Sequence, residues 1–412
     1  MNIYQSRRNQ LASSMQENSV LYIYSGKSIL FSADEEMPFK CDYNFYYLTG
    51  INKENMILEI KKLNGVMQDA LYIQNFDPVL AKWIGPRMLA DEAKEISNVM
   101  LIKDYDQFDA GYHTVCGQLR SFMDTTMYLD LYHVNPSHDF TCAHHLAKQI
   151  QSYYPSIVIK DIYPVLTKMR LIKDDTEINE IKKAIEITKA GIEKMWQQVK
   201  NCKDERVLEG YFMLGLRENG CRDVAFPSII ASGASATTLH YVDNDAPLKE
   251  DTLVLCDLGA TSNVYKADIT RTFPVNGRFT PRQKEIYDVV LQGQKKVIEN
   301  AVVGKTLAEL NQILVDFYKE TLPSIGLTKD VSEYYYHGVS HMLGLNTHDV
   351  DFIRGTTKLE KGMVITVEPG LYVADEEIGI RIEDDILIGD EPINLSASIL
   401  KETQDIEDFM NA

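Results

Sequence analysis

The sequence predicts a two-domain α/β (α+β) protein. An N-terminal α/β domain covers residues 1–165, and a C-terminal domain covers residues 166–412, where helices coat the convex side of a curved, mostly antiparallel sheet. Three observations predict this. Strand-like and helical stretches alternate through the first 165 residues. A long amphipathic helix follows a break near Pro164–Met169. Beyond it, two hairpins each carry a carboxylate on both arms, with helices between them.

In the N-terminal half the strand-like runs are Val20–Tyr24, Phe45–Leu48, Met56–Ile60, Ala70–Ile73, Met127–Leu131 and Ile157–Ile159. Helical stretches with charged faces lie around Val79–Met88 and Thr141–Tyr153. The alternation of the two reads as an independent layered domain. His113, His133, His138, His144 and His145 lie here without carboxylates at ligand spacing, and read as surface or packing residues.

The C-terminal half opens on a helix whose Asp174 and Glu177 form a capping box. Ile178, Ile181, Ile185 and Ile192 recur at helical spacing and so face a core. A second helix is expected over Glu205–Glu218, then a strand and a Gly/Ser-rich loop, Phe226–Leu239, that delivers His240. Thr280, Pro281 and Gln283 supply an N-cap, a proline at the first helical position and a capping-box partner. Thr306 starts another helix, with Leu307, Leu310, Ile313, Leu314 and Phe317 inward.

The chain has 42 basic and 60 acidic side chains, a net charge of −18. So acidic a surface disfavours nucleic acid and anionic membranes as partners. Six scattered cysteines without a CxxC pair read as reduced thiols, and no run reaches transmembrane length. A cytoplasmic protein is expected. Cys256 alternates away from Asp257 and reads as a packing residue.

The chemistry concentrates in the hairpins. In VLCDLGATSNVYKADITRT, a turn centred on Ser262–Asn263 sets Asp257 directly opposite Asp268. Facing residues on one sheet face lie about 4.5–5.5 Å apart, where like charges repel unless a cation sits between them. A register one residue off, with one aspartate turned to solvent, is the alternative for this hairpin taken alone. In VITVEPGLYVADEEIGIRIED, Glu368 and Glu383 are symmetric about Asp375–Glu376. Between the hairpins lies HGVSHMLGLNTHDV, with His337, His341 and His348. Four carboxylates and an imidazole suit Mn, Co, Fe or Zn rather than a thiolate site. Two divalent cations would balance the four acids, at the separation of about 3.5–4 Å usual in two-metal hydrolases. HGVSH lacks the glutamate of a helical zinc motif. Arg381 shares a sheet face with Glu383 and is expected to balance ligand charge.

Set in DLGA, ADITRTF, HGVSHMLGL, VEPGLY and GIRIED, these residues resemble the pita-bread metallopeptidase family, which includes aminopeptidase P, prolidase and methionine aminopeptidase. The likeness is close over roughly residues 165–405; FYYLTG and ADEEMPF extend it loosely to the N-terminal domain of aminopeptidase P. It implies a pita-bread C-terminal domain with Asp257, Asp268, His341, Glu368 and Glu383 as ligands of two divalent ions, Mn2+ first and Co2+ or Zn2+ as alternatives. It further implies a metal-bridging hydroxide as nucleophile and Glu368 as proton shuttle. His240 and His348 would contact the substrate carbonyl or the oxyanion, and His337 would line the pocket; Tyr372, which follows the Glu-Pro-Gly turn, is expected in the substrate cleft by its position.

The implied activity is removal of an N-terminal residue from peptides with proline second. The alternatives are a prolidase acting on Xaa-Pro dipeptides and a non-catalytic binding module on the same scaffold. Cys41, Asn44 and Lys266 depart from the aminopeptidase P pattern, which weakens carry-over from the N-terminal domain. That domain is expected to limit substrate length, with Asp34 and Trp83 as candidate substrate contacts, and to contribute to a homo-oligomer, a dimer or tetramer.

Overall fold

The chain divides into two units, Met1–Lys168 and Met169–Ala412. The computed structural model describes residues 2–132, 140–351, 353 and 355–412. His133 and His138 lie outside the described residues.

The first unit is built on a six-stranded sheet of β1 (Ser19–Tyr24), β2 (Ile57–Leu63), β3 (Val66–Ile73), β4 (Leu101–Asp104), β5 (Thr126–Leu129) and β6 (Val158–Asp161), in the order β4-β3-β2-β1-β5-β6. The pairs β1–β2 and β2–β3 run antiparallel, while β1–β5, β3–β4 and β5–β6 run parallel. Tyr22, Tyr72, Met127 and Leu129 meet Phe108 and Ile150 in its core.

Two expectations fail in this unit. Phe45–Leu48 is not a strand but part of helix α1 (Tyr43–Thr49). Its aromatic composition favours strand, yet Asp42 accepts from the Phe45 amide and Gly50 closes the helix at φ 72°. The two caps outweigh the weak strand propensity. The Val79–Met88 helix shrinks to the single turn Ala81–Ile84, stopped by Gly85 and Pro86. The helix expected around Thr141–Tyr153 is present as α2 (Cys142–Tyr153), with Thr141 as its N-cap.

In the second unit, α3 (Asp175–Gln198) carries the capping box read from the sequence, and Ile181, Ile185 and Ile192 are buried. It is followed by α4 (Glu205–Glu218), α5 (Pro281–Glu299) and α6 (Leu307–Thr321), the last two also with capping boxes. The strands are β7 (Ile229–Ser232), β8 (Leu253–Leu258), β9 (Thr261–Ser262), β10 (Tyr265–Lys266), β11 (Ile269–Pro274), β12 (Val364–Val367), β13 (Gly370–Val373), β14 (Ile378–Arg381), β15 (Asp384–Leu387) and β16 (Ile393–Asn394).

The second hairpin has the register read from the sequence. Gly370 pairs with Arg381, and Val367 with Asp384, so Glu368 and Glu383 fall opposite each other in the gap between two ladders.

The first hairpin does not. Asp257 pairs with Thr270, not Asp268. The turn is Asn263–Val264, at φ 43° and 66°, where a two-residue hairpin needs positive φ at both positions. Glu180 of α3 fixes it by accepting from Ser262 Oγ at 2.6 Å and Asn263 Nδ2 at 3.1 Å. The register moves by two residues. Because side chains alternate with period two, both aspartates keep a common face, as diagonal neighbours.

The hairpins join where the Glu383 amide donates to the Thr270 carbonyl at 3.0 Å. No helix among the described residues is long and apolar enough to cross a membrane, and all six cysteines are free.

Asp349 anchors the loop between α6 and β12. It is buried against Arg170 Nη2 at 2.6 Å and Lys173 Nζ at 3.2 Å. Burial pushes its carboxyl upward, but the two cations win and hold it below the usual carboxylate range. A depressed folded-state pKa adds stability above the unfolded value, and that stability is lost as pH falls through the folded one. Asp349→Asn should therefore cost about 3–5 kcal/mol at neutral pH, because it removes the buried carboxylate charge that faces Arg170 and Lys173. Chemical denaturation should show that loss shrinking below about pH 4; a pH-independent loss would contradict the ion-pair account.

Candidate metal centre

Three of the four acids sit at breaks between strands, and the fourth, Asp257, lies near a strand end. Asp257 is the penultimate residue of β8, and Asp268 lies in the gap between β10 and β11. Glu368 follows β12 and Glu383 precedes β15. Freed from regular pairing, the backbones of Asp268, Glu368 and Glu383 can turn carboxylates toward Asp257, which stays paired with Thr270 and Ile229. The break after β8 is sharp enough that a Cβ on Gly259 would lie 2.1 Å from the Ala267 carbonyl oxygen, so no larger residue fits there.

His341 arrives from the opposite side on the loop after α6. Its backbone is tied to β12: Thr366 N donates to His341 O at 2.9 Å, and His341 N donates to Thr366 Oγ1 at 3.1 Å. The ligand atoms of Asp268, His341 and Glu383 lie within 4.8 Å of one another, the one such cluster of three or more among the described residues. His341 Nε2 is 3.4 Å from Asp268 Oδ2 and 3.5 Å from Glu368 Oε1. Asp257 joins through Arg381, whose Nη2 donates to Asp257 Oδ2 at 2.6 Å.

The electrostatics are those of a site built for a cation. Burial, then Glu383 and the other acids, pushes the Asp268 carboxyl well up. Burial and Glu368 do the same to Glu383. Glu368 is raised to about 8 by burial, with Arg381 opposing and Asp257 adding to it. Burial, and then His348, brings His341 down to about 3, so its ring is neutral at physiological pH. Its Nδ1–H donates to Met342 O at 3.0 Å. The Nε2 lone pair then faces two carboxyl groups, a contact that is repulsive unless a proton or a cation intervenes. An Nδ1–H held by a backbone carbonyl is also what orients a metal-ligating imidazole. Asp257 Oδ1 is buried with no hydrogen-bond partner. The donor set therefore fits divalent metal.

Beside the acids runs a chain of hydrogen bonds. Arg381 Nη1 donates to Tyr372 Oη at 3.0 Å; Tyr372 donates to His337 Nε2 at 2.9 Å; His337 Nδ1–H donates to Gly338 O at 2.8 Å. Burial and Arg381 lower His337 to about 4, so it stays neutral. His337 Nδ1 is 3.7 Å from Glu368 Oε2. The His348 ring lies edge-on to His341, centroids 4.4 Å apart. His240 is exposed on the loop after β7. Eight of the expected residues thus meet in one place: Asp257, Asp268, His337, His341, Glu368, Tyr372, Arg381 and Glu383. His348 and His240 stand at its margin. Asp34 and Trp83 belong to the first unit and are exposed.

Sequence reasoning missed Thr270 and Arg271. Thr270 Oγ1 donates to Glu383 Oε2 at 2.6 Å and accepts from Arg381 Nε at 3.1 Å. Arg271, fully buried, donates to the Thr270 and Glu383 carbonyls at 2.9 and 2.6 Å and pairs with Asp384 at 2.7 Å. Their adjacency to Asp268 in DITR was the available signal.

The chain matches the family described as metallopeptidase family M24 over residues 179–390, and aminopeptidase P, N-terminal domain, over residues 4–121. A Haemophilus influenzae Xaa-Pro aminopeptidase is 34% identical over 430 residues, covering 99% of this chain and 97% of that protein. A Bacillus anthracis protein solved as a candidate aminopeptidase P superposes with TM-score 0.96 at 39% identity, covering 99% and 98% of the two chains. A zinc-substituted Escherichia coli aminopeptidase P in complex with product superposes with TM-score 0.87 at 30% identity, covering 99% and 98%.

In chelator-stripped protein, Asp268→Asn relieves repulsion and should melt no lower than wild type. Added Mn2+ at about a hundred times Kd should stabilise wild type by about 2.7 kcal/mol, a rise of roughly 5–10 °C, and the variant far less. Equal rises in thermal melts would remove Asp268 from the site.

Proposed function

This chain belongs to metallopeptidase family M24, and from that premise we propose that it is a metal-dependent aminopeptidase releasing the N-terminal residue from peptides with proline in second position. The observation that carries the reading is the neutral His341 whose Nε2 faces Asp268 and Glu368, with Glu383 alongside. The match of residues 4–121 to an aminopeptidase P N-terminal domain favours this over a prolidase.

We assign Asp257, Asp268, His341, Glu368 and Glu383 as ligands of two divalent ions, Mn2+ first, with Co2+ or Zn2+ as alternatives. Bound there, the ions would supply Lewis acidity and a water of lowered pKa. Glu368, besides holding the ions, would pass a proton from the nucleophile to the departing proline nitrogen. His240 and His348 hold the scissile carbonyl and the oxygen that becomes negative. His337, kept neutral and oriented by Tyr372, offers a polar wall to the leaving residue, and Tyr372 lines the same cleft. Arg381 fixes Asp257 and Tyr372 relative to each other. We assign substrate-length restriction and subunit contacts in a homo-oligomer to the N-terminal unit, with Asp34 and Trp83 as substrate contacts. The free thiols support a cytoplasmic setting.

Chelation should abolish cleavage of an Xaa-Pro-Xaa tripeptide and Mn2+ should restore it, with an Xaa-Pro dipeptide turned over more slowly. Asp257→Asn should lose metal and activity together, the latter by at least about a hundredfold. Faster dipeptide cleavage would favour the prolidase reading, and full activity in Asp257→Asn would defeat the ligand assignment.

A further inference from the structure

His240 sits on an exposed stretch between β7 and β8, where a side chain that must meet substrate would otherwise wander. The segment is held from beneath by a residue outside the metal cluster. Glu205, the first residue of α4, is fully buried. Its Oε1 accepts from Ser232 N and Ser232 Oγ, both at 2.7 Å. Its Oε2 accepts from Tyr241 Oη at 2.8 Å and Ala246 N at 2.9 Å. Its own amide donates to Ala246 O at 3.0 Å. One carboxylate thereby ties together the end of β7, the residue after His240 and the return of the loop.

The site suits an anion. It lies at a helix N-terminus and offers four donors, so the charge is held by hydrogen bonds and the helix dipole, with no ion-pair partner among the described residues. Asn244 adds a second tie, with φ 48° and its side chain mimicking a strand neighbour: Oδ1 accepts from Ile230 N and Nδ2 donates to Ser228 O, both at 2.9 Å. Leu239 and Tyr241, flanking His240, pack onto the apolar cluster that contains Tyr372. The turn before them is seated so tightly on β14 that a Cβ on Gly379 would lie 2.1 Å from the Ala236 carbonyl oxygen. Residues on both sides of His240 are thus fixed, while His240 itself is exposed.

We propose that Glu205 is a positioning residue for substrate binding, pre-ordering the 233–247 loop so that His240 meets the peptide. The assignment rests on the reading of His240 as a substrate contact. Glutamine in place of Glu205 keeps one acceptor oxygen and turns an NH2 group on two of the four donors, so one half of the tie is lost.

The test is a double-mutant cycle on the metal-loaded full chain, with Glu205→Gln, His240→Ala and the pair, read on a proline-second tripeptide. Glu205→Gln should raise KM and lower kcat/KM by up to about a hundredfold, the loss expected of a small misplacement. Metal content should match wild type, and hydrogen–deuterium exchange should rise within residues 233–247 alone. In the His240→Ala background the same change should cost little more, since coupled residues are non-additive. Additive losses, lost metal, or a loosened loop with unchanged kcat/KM would overturn the role of Glu205. A wild type that cleaves no such peptide would sink the reading of function instead. Should Glu205→Gln not fold, Tyr241→Phe removes one donor to the same carboxylate and should give a smaller loss with the same coupling; its failure to do so would also overturn the proposal.

Discussion

The structure is governed by the difficulty of keeping four carboxylates together out of water. Like charges about 4 Å apart repel by about 4 kcal/mol at an effective dielectric near 20, and Asp257, Asp268, Glu368 and Glu383 share one cluster with Arg381 as the cation among them. One guanidinium leaves three formal negative charges. His341 adds none of the missing positive charge, because burial keeps it neutral. The protein alone therefore holds the carboxyls protonated or strained, and divalent cations resolve the conflict. A donor set this crowded has no rationale in packing.

The surrounding structure holds these groups where they would not stay by themselves. The Arg271–Asp384 pair, closed off by Lys401, lies behind Glu383, and Arg271 also draws in the carbonyls on both sides of the junction between hairpins. Burial pushes Asp384 up, yet Arg271 and Lys401 bring it down to about 2. Arg170, Lys173 and Asp349 do the corresponding work for the loop bearing His341 and His348. A buried ion pair is a poor source of net stability but strands a charge if half of it is lost, which makes it suited to fixing a geometry. Glu205 applies the same logic with neutral donors.

Much of this was legible in the sequence. The second hairpin was readable to the residue because its polar tip, Asp375–Glu376, is also its geometric centre. The first was misread by two positions because no propensity rule favours Val264 at φ 66°, and Glu180, distant in sequence, fixes the turn. Asp257 and Asp268 still share a sheet face, because a slip of two preserves the face of every side chain. Phe45–Leu48 was misread for a different reason: strand-forming residues were overruled by the caps Asp42 and Gly50. Glu205 and Asp349 gave no signal, and Arg271 only its adjacency to Asp268, since a charged residue in a helix turn or beside a motif looks solvated until the fold buries it. Their roles are properties of tertiary contact, not of local pattern.

The most direct measurement is the count of Mn2+ ions bound per chain when the stripped, full-length protein is titrated calorimetrically. Saturation at two ions, with binding abolished when Glu368 and Glu383 are both replaced by glutamine, is the expected result. A chain that binds none, or whose binding persists without those two glutamates, would contradict the claim that the buried acids exist to hold metal.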